Sequence, residues 1–207
     1  MIPPYFCFHS QPTTAGGGTV VYVGFKNHDF SEDIETREKA GTPPILQAIK
    51  AALALELKEK IGVETIEKVE RLYTEYFIEG LKKIKNIELL GDIAPEERVS
   101  IVSFNIRHND RILHPRFVAT LLNDLFGIQS RAGCSCAGPY GHILLGIDQV
   151  TSEKYRKLIV KGCEGIKPGW VRVNIHYTLS REDVEIIIQA IEFVARAGHL
   201  FLQKYQF

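Results

Sequence analysis

Residues 169–198 read GWVRVNIHYTLSREDVEIIIQAIEFVARAG, which predicts a strand followed by a capped helix. The β-branched and aromatic residues between positions 170 and 177 are typical of a strand. Ser180 and Asp183 resemble a capping box, and Gly198 predicts the end of the helix. Apolar residues at three- and four-residue spacing predict its buried face: Val184, Ile187, Ile188, Ile191 and Val194. This stretch predicts a helix packed on a sheet.

The preceding residues predict more helices and strands of the same domain. Apolar periodicity predicts a helix that begins at Thr42 and ends near Gly62, then a second one whose apolar face runs from Ile66 to Leu81. Strands are predicted at 87–90 and 99–106, and helices at 117–126 and 151–160. The pattern indicates an α+β domain, a short sheet covered by helices, over residues 61–207.

Residues 1–60 form a different region. Residues 19–25, TVVYVGF, predict a buried strand, and the polar residues 26–40 predict a surface loop. A single strand cannot bury both of its faces. It therefore joins the main sheet, or it belongs to a sheet whose other strands lie outside this chain. We favour the second interpretation.

Composition narrows the classes of function. The 207 residues include 25 basic and 25 acidic ones, with no basic stripe, which argues against a nucleic-acid partner. No apolar run approaches the roughly 20 residues of a membrane span. Four irregularly spaced cysteines do not predict a disulfide scaffold, and we expect a cytoplasmic protein.

Arg172 is the first candidate for a functional side chain. An arginine inside an apolar strand is costly unless an anion balances its charge. That anion is either a buried carboxylate of the same chain or the carboxylate of a ligand, which the guanidinium can bind in a bidentate manner. The sequence alone leaves both alternatives open, and pairing within the chain is the ordinary one.

A cysteine-rich loop follows Arg131, with the sequence RAGCSCAGP over residues 131–139. Cys136, five residues after an arginine, could be a reactive thiolate, because a nearby cation lowers the pKa of a thiol. Cys134 and Cys136 lack the second pair that a structural zinc site needs, so no metal is predicted. The ordinary explanation is two small buried side chains at a tight turn.

Together and in this order, these segments resemble the class V aminotransferases, nearest to their group II cysteine desulfurase branch. The family combines the α/β fold type I of pyridoxal-phosphate enzymes with a smaller C-terminal domain. The run AGTP at 40–43 matches a motif in which Gly41 and Thr42 would reach the cofactor phosphate of a neighbouring subunit. The loop match implies a persulfide-forming role for Cys136. Arg172 would bind the α-carboxylate of a small amino-acid-like substrate, Arg131 would be a second substrate-binding residue, and His9 would contact the cofactor.

The resemblance also predicts what this chain lacks. The family's His-Lys pair, whose lysine forms the Schiff base with pyridoxal phosphate, aligns with His9 and Ser10. Serine cannot form an aldimine. We therefore expect residues 1–60 to be a remnant of the large cofactor-binding domain with its connecting helix, and residues 61–207 to be the small domain. We expect weak or absent cofactor binding, and either a homodimer or a second chain that supplies the large domain. The alternative is a non-catalytic binding or scaffold protein derived from this fold.

Overall fold

A computed structural model describes residues 11–91, 98–134 and 138–205. The chain divides into two compact units, Met1–Ile61 and Gly62–Phe207. None of the described helices is long and apolar enough to cross a membrane.

The first unit contains a hairpin and two helices. Strand β1 (Val20–Val23) pairs in antiparallel fashion with β2 (His28–Phe30), and the Gly24 amide donates to the Asn27 carbonyl across the turn at 2.8 Å. Helix α1 (Ile34–Glu38) and helix α2 (Ile45–Ile61) follow. The predicted α2 is confirmed as a helix, although none of its residues is buried.

Two predictions for the first unit were wrong. The strand at β1 is mostly exposed, and its partner is β2, which lies within the segment predicted to be a surface loop. The polar sequence HDF of β2 carries no strand signal of its own. Helix α1 was missed for a similar reason, because its five residues are too few for a period to show.

The second unit is an antiparallel sheet with packed helices. Its helices are α3 (Val63–Lys82), α4 (Pro115–Phe126), α5 (Gly138–Leu144), α6 (Gln149–Ile159) and α7 (Arg181–Ala197), with 3-10 helices at Glu164–Ile166 and Gly198–Lys204. Its strands are β3 (Ile87–Leu90), β4 (Ile101–His108), β5 (Arg111–Ile112), β6 (Arg131–Gly133) and β7 (Trp170–Asn174). The strand order is β3-β4-β7-β6, β5 pairs with β4, and all pairs are antiparallel.

The core lies between this sheet and helices α3, α4 and α7. Side chains alternate along β4 and β7, so one face of each strand enters the core. Fully buried residues from all five elements meet there: Phe77, Leu81, Phe104, Phe117, Val171 and Ile191. The opposite face of the sheet carries Arg172 and Ser103 together with the buried Trp170.

Helix α7 begins and ends as its sequence predicts. The Ser180 hydroxyl accepts a hydrogen bond from the Asp183 amide at 3.1 Å, and the Asp183 carboxylate accepts one from the Ser180 amide at 2.8 Å. Gly198 caps the other end, with its amide bonded to the Val194 carbonyl. The predicted capping box is confirmed, and it fixes where the chain turns from β7 into α7.

Candidate functional site

Strand register places two arginines side by side. Arg172 on β7 lies opposite Arg131 on β6 and opposite Ser103 on β4. Directly opposed residues of antiparallel strands project from the same face of the sheet. Because Val171 belongs to the core, both arginine side chains lie on the face away from helices α3, α4 and α7. Arg131 was predicted to lie in a loop, and the structure places it in a short edge strand instead.

Neither arginine has an ion-pair partner among residues 11–91, 98–134 and 138–205. The Arg172 side chain is half-buried, and its Nε atom is buried without a hydrogen-bond acceptor within that described part. A buried charged donor without an acceptor is costly. Within the described residues, the charge of Arg172 is therefore left without a counter-charge.

The backbone segments beside Arg172 pack closely against each other. A Cβ atom on Gly169 would lie 2.6 Å from the Gly133 Cα atom, so only glycine lets β6 and β7 approach this closely. Next to them, a Cβ on Gly141 of α5 would lie 3.3 Å from the Trp170 ring and 3.8 Å from the Cys134 Cβ. The glycines therefore bring α5, the tryptophan and the thiol together at one end of the arginine-bearing face.

Cys134 is a half-buried free thiol on a cleft of about 190 Å³ at the edge of β6. The cleft is lined by four basic residues: His114, Arg116, Arg131 and Lys167. Arg116 Nη1 donates to Glu164 at 2.7 Å, and this hydrogen bond holds the pKa of Glu164 below its usual range. Burial lowers the pKa of His114, although a hydrogen bond with the Lys167 backbone acts in the opposite direction. The positive charge that Arg116 and His114 contribute to the cleft is thereby reduced.

The remaining candidates lie outside the described residues or in the first unit. Cys136 and His9 lie outside the described residues. Gly41 and Thr42 belong to the first unit, where both are exposed. Gly41 has a φ of 80°, and its amide donates to the Gly17 carbonyl at 2.8 Å, so that amide is already occupied. Within the described ranges no cluster of three metal-ligating side chains occurs.

The sequence did not predict a hydrogen-bonded pair, His142 and Ser152, that connects α5 and α6. The His142 ring contacts the Gly138 carbonyl through Nδ1 at 2.7 Å and the Ser152 hydroxyl through Nε2 at 2.8 Å. A backbone carbonyl accepts only, so Nδ1 carries the proton and Nε2 accepts from Ser152 in neutral His142. The pair ties α5 to α6. The only signal for it in the sequence was two polar residues ten positions apart.

Comparison with known proteins agrees with this layout. The sequence model of the family described as Aminotransferase class-V matches residues 8–187. The chain belongs to the class V aminotransferase family. The family is dependent on pyridoxal phosphate, and its fold type I architecture is the one found here.

The relatives most similar in sequence include probable cysteine desulfurases, and this chain covers only part of them. A probable cysteine desulfurase of Staphylococcus aureus (strain Mu50) is 35% identical over 62% of this chain and 30% of its own length. One from Methanothermobacter thermautotrophicus is 30% identical over 91% of this chain and 41% of its own length. Well under half of each relative is therefore represented.

Solved structures give the same coverage. The apo structure of a cysteine desulfurase from Thermococcus onnurineus NA1 superposes with a TM-score of 0.61 at 28% identity, covering 90% of this chain and 40% of that one. A cysteine desulfurase from Escherichia coli superposes with a TM-score of 0.63 at 22% identity, over 92% and 39% of the two chains. At 22% identity, the second superposition indicates a similar fold and nothing more.

Proposed function

We propose that this chain is the carboxylate-binding portion of a class V aminotransferase-like enzyme, in which Arg172 and the neighbouring Arg131 bind a small amino-acid-like ligand. The observation that carries the proposal is the half-buried Arg172 on the sheet face away from the core, for which the described residues offer no partner. A guanidinium in such a place binds a carboxylate with two parallel hydrogen bonds. The chain would have no independent transaminase or desulfurase activity.

The described residues do not fit a complete cradle for pyridoxal phosphate. In the family that cofactor supplies the electron sink for chemistry at the amino acid's α-carbon. Here the Gly41 amide is bound to Gly17, which leaves Thr42 as the phosphate-side group. Ser10, at the position of the Schiff-base lysine in the resemblance, cannot form an imine. Groups outside the described residues, such as those of a large domain, would have to supply the rest.

The cofactor part of the proposal is tested by mixing the chain with pyridoxal phosphate and recording its absorption spectrum. We expect weak, dialysable binding and no internal aldimine. Borohydride reduction followed by peptide mapping identifies any lysine that reacts. A stoichiometric, dialysis-resistant adduct on one lysine would contradict the proposal, whereas scattered partial modification of surface lysines would not.

The carboxylate part is tested with Arg172→Ala, using L-alanine as the ligand. We expect the free energy of unfolding to change by less than about 1 kcal/mol, because no described carboxylate loses a partner. We also expect the stabilisation that L-alanine gives the parent to disappear. Arg111→Ala on β5 removes an equal charge from an exposed site and serves as the control. A loss of roughly 3 kcal/mol or more in Arg172→Ala would indicate a structural ion pair instead.

The role of Cys136 as a persulfide carrier rests on the resemblance alone. Incubation with L-cysteine and pyridoxal phosphate, followed by alkylation and mass spectrometry, tests it. We expect no persulfide on Cys136 from the chain by itself. Cys136→Ser and Cys134→Ser then identify which thiol carries any sulfur that does appear.

A second candidate, a non-catalytic binding or scaffold protein, is favoured by helix α2. Its apolar residues are exposed along its whole length. Large exposed apolar patches mark interaction surfaces. The two candidates differ in their response to carboxylates, since a scaffold protein needs no ligand at Arg172.

A further inference from the structure

The pair formed by Arg131 and Arg172 has an excess of positive charge. Directly opposed residues in antiparallel strands have Cβ atoms about 5 Å apart, and like charges at that position destabilise the sheet. No carboxylate in the described part of the chain forms an ion pair with either side chain. Two cations are therefore held together on one face without a described counter-charge.

A single carboxylate accounts for only one of these cations. When its two oxygens accept two parallel hydrogen bonds from one guanidinium, it brings one negative charge to a pair that carries two positive ones. The two side chains also differ in exposure. Arg172 is half-buried against Ser103 on the inner side, whereas Arg131 is exposed on the edge strand. Their positions suit two anionic groups at different depths.

We propose that the site takes a small dicarboxylate, with one carboxylate bound by Arg172 and the other by Arg131. This inference rests on the proposed function, because it assumes that Arg172 binds a ligand carboxylate. It adds the chemical class of that ligand, an amino acid or keto acid with an acidic side chain. The second carboxylate balances a charge that a neutral zwitterion such as alanine leaves unbalanced.

The experiment compares succinate with propionate on the full chain by isothermal titration at constant ionic strength. We expect succinate to bind at least tenfold more tightly than propionate. In Arg131→Gln we expect the preference for succinate over propionate to disappear. Arg172→Gln weakens both ligands. Arg111→Gln, the matched loss of an exposed arginine, changes neither.

The possible failures are distinguishable. Equal affinity for succinate and propionate overturns the dicarboxylate inference and leaves the carboxylate site standing. A succinate preference that survives in Arg131→Gln also overturns it. If sulfate binds as tightly as succinate, the two arginines share one compact dianion. That result contradicts separate carboxylate positions at Arg172 and Arg131. If neither carboxylate binds, both the inference and the proposed function are wrong.

Discussion

Helices α2 and α7 are each 17 residues long, yet one is wholly exposed and the other is part of the core. In α7 the apolar residues lie on one face, and that face packs against the sheet. In α2 the run AALAL at 51–55 points in every direction, because successive residues of a helix are about 100° apart. A helix that is apolar all round is normally buried. The apolar face of α7 is buried by the sheet of its own unit, whereas the apolar residues of α2 are not buried by any described residue.

The sharpest test of this difference is a matched truncation in each helix. Ile191 of α7 is completely buried, whereas Leu53 of α2 is 58% exposed. We expect Ile191→Ala to lower the free energy of unfolding by about 2–5 kcal/mol, through lost burial and a cavity. Leu53→Ala should change it by less than about 0.5 kcal/mol in dilute solution. Urea unfolding followed by circular dichroism measures both, and equal losses would show that α2 is already covered.

Association should depend on α2 rather than on any exposed leucine. We expect the parent chain to form dimers or larger species at micromolar concentration, and Leu53→Lys to weaken that association at least tenfold, since a charge in an apolar interface is costly. Leu72→Lys alters a leucine of α3 that is 61% exposed and should have no such effect. Sedimentation velocity over a concentration series compares the three proteins. A parent that sediments as a monomer throughout would contradict the prediction.

The capping box gives α7 a defined start. Ser180→Ala removes the hydroxyl that accepts from the Asp183 amide, and we expect a loss of about 1 kcal/mol in the free energy of unfolding. Ser180→Thr keeps the hydroxyl and should lose much less. Thermal unfolding monitored by calorimetry checks both, and identical losses would mean that the hydroxyl is not the cause.

The smallest expected effect is a dependence of stability on acidic pH. The backbone and hydroxyl of Ser180 donate to Asp183 and lower the pKa of its carboxyl. A folded-state pKa below the unfolded one stabilises the fold above the unfolded value, and this contribution is lost as the pH falls through the folded value. We expect the loss below about pH 4. Asp183→Asn should flatten the slope of stability there, although Asp33 and Asp148, whose pKa values are lowered by similar caps, keep part of it. An unchanged slope would remove Asp183 as a source.

The second unit was the easier one to predict, because its hydrophobic periods and its burial agree. Strand β3 and helix α7 begin and end where the sequence indicates. Leu72 is the exception on α3, an apolar residue at the helical spacing that lies on the solvent side. Strands β5 and β6 were missed because two or three residues are too few to show an alternation. They exist because β4 and β7 offer edges with which they can pair.

The candidate site could be predicted only residue by residue. The sequence indicated Arg172 because a charged side chain inside an apolar strand is energetically costly unless an anion balances it. That Arg131 lies opposite it depends on strand register, which is set by pairing across the sheet and not by any local signal. The clustering of Gly141 and Cys134 with Trp170 likewise follows from close backbone approach, which no spacing in the sequence reveals.

Helices α5 and α6 lie in the connection between β6 and β7, so the two opposed arginines stand at the two ends of one long loop. The entropy of closing a loop grows only with the logarithm of its length, and doubling it costs about 0.6 kcal/mol. Residues can therefore be inserted into the exposed turns of this connection at little cost in closure entropy while Arg131 and Arg172 stay in register. Helix α5 is different, because Gly141 packs against Trp170, so the part of the connection next to the arginines is held in place by contacts and not by the length of the chain.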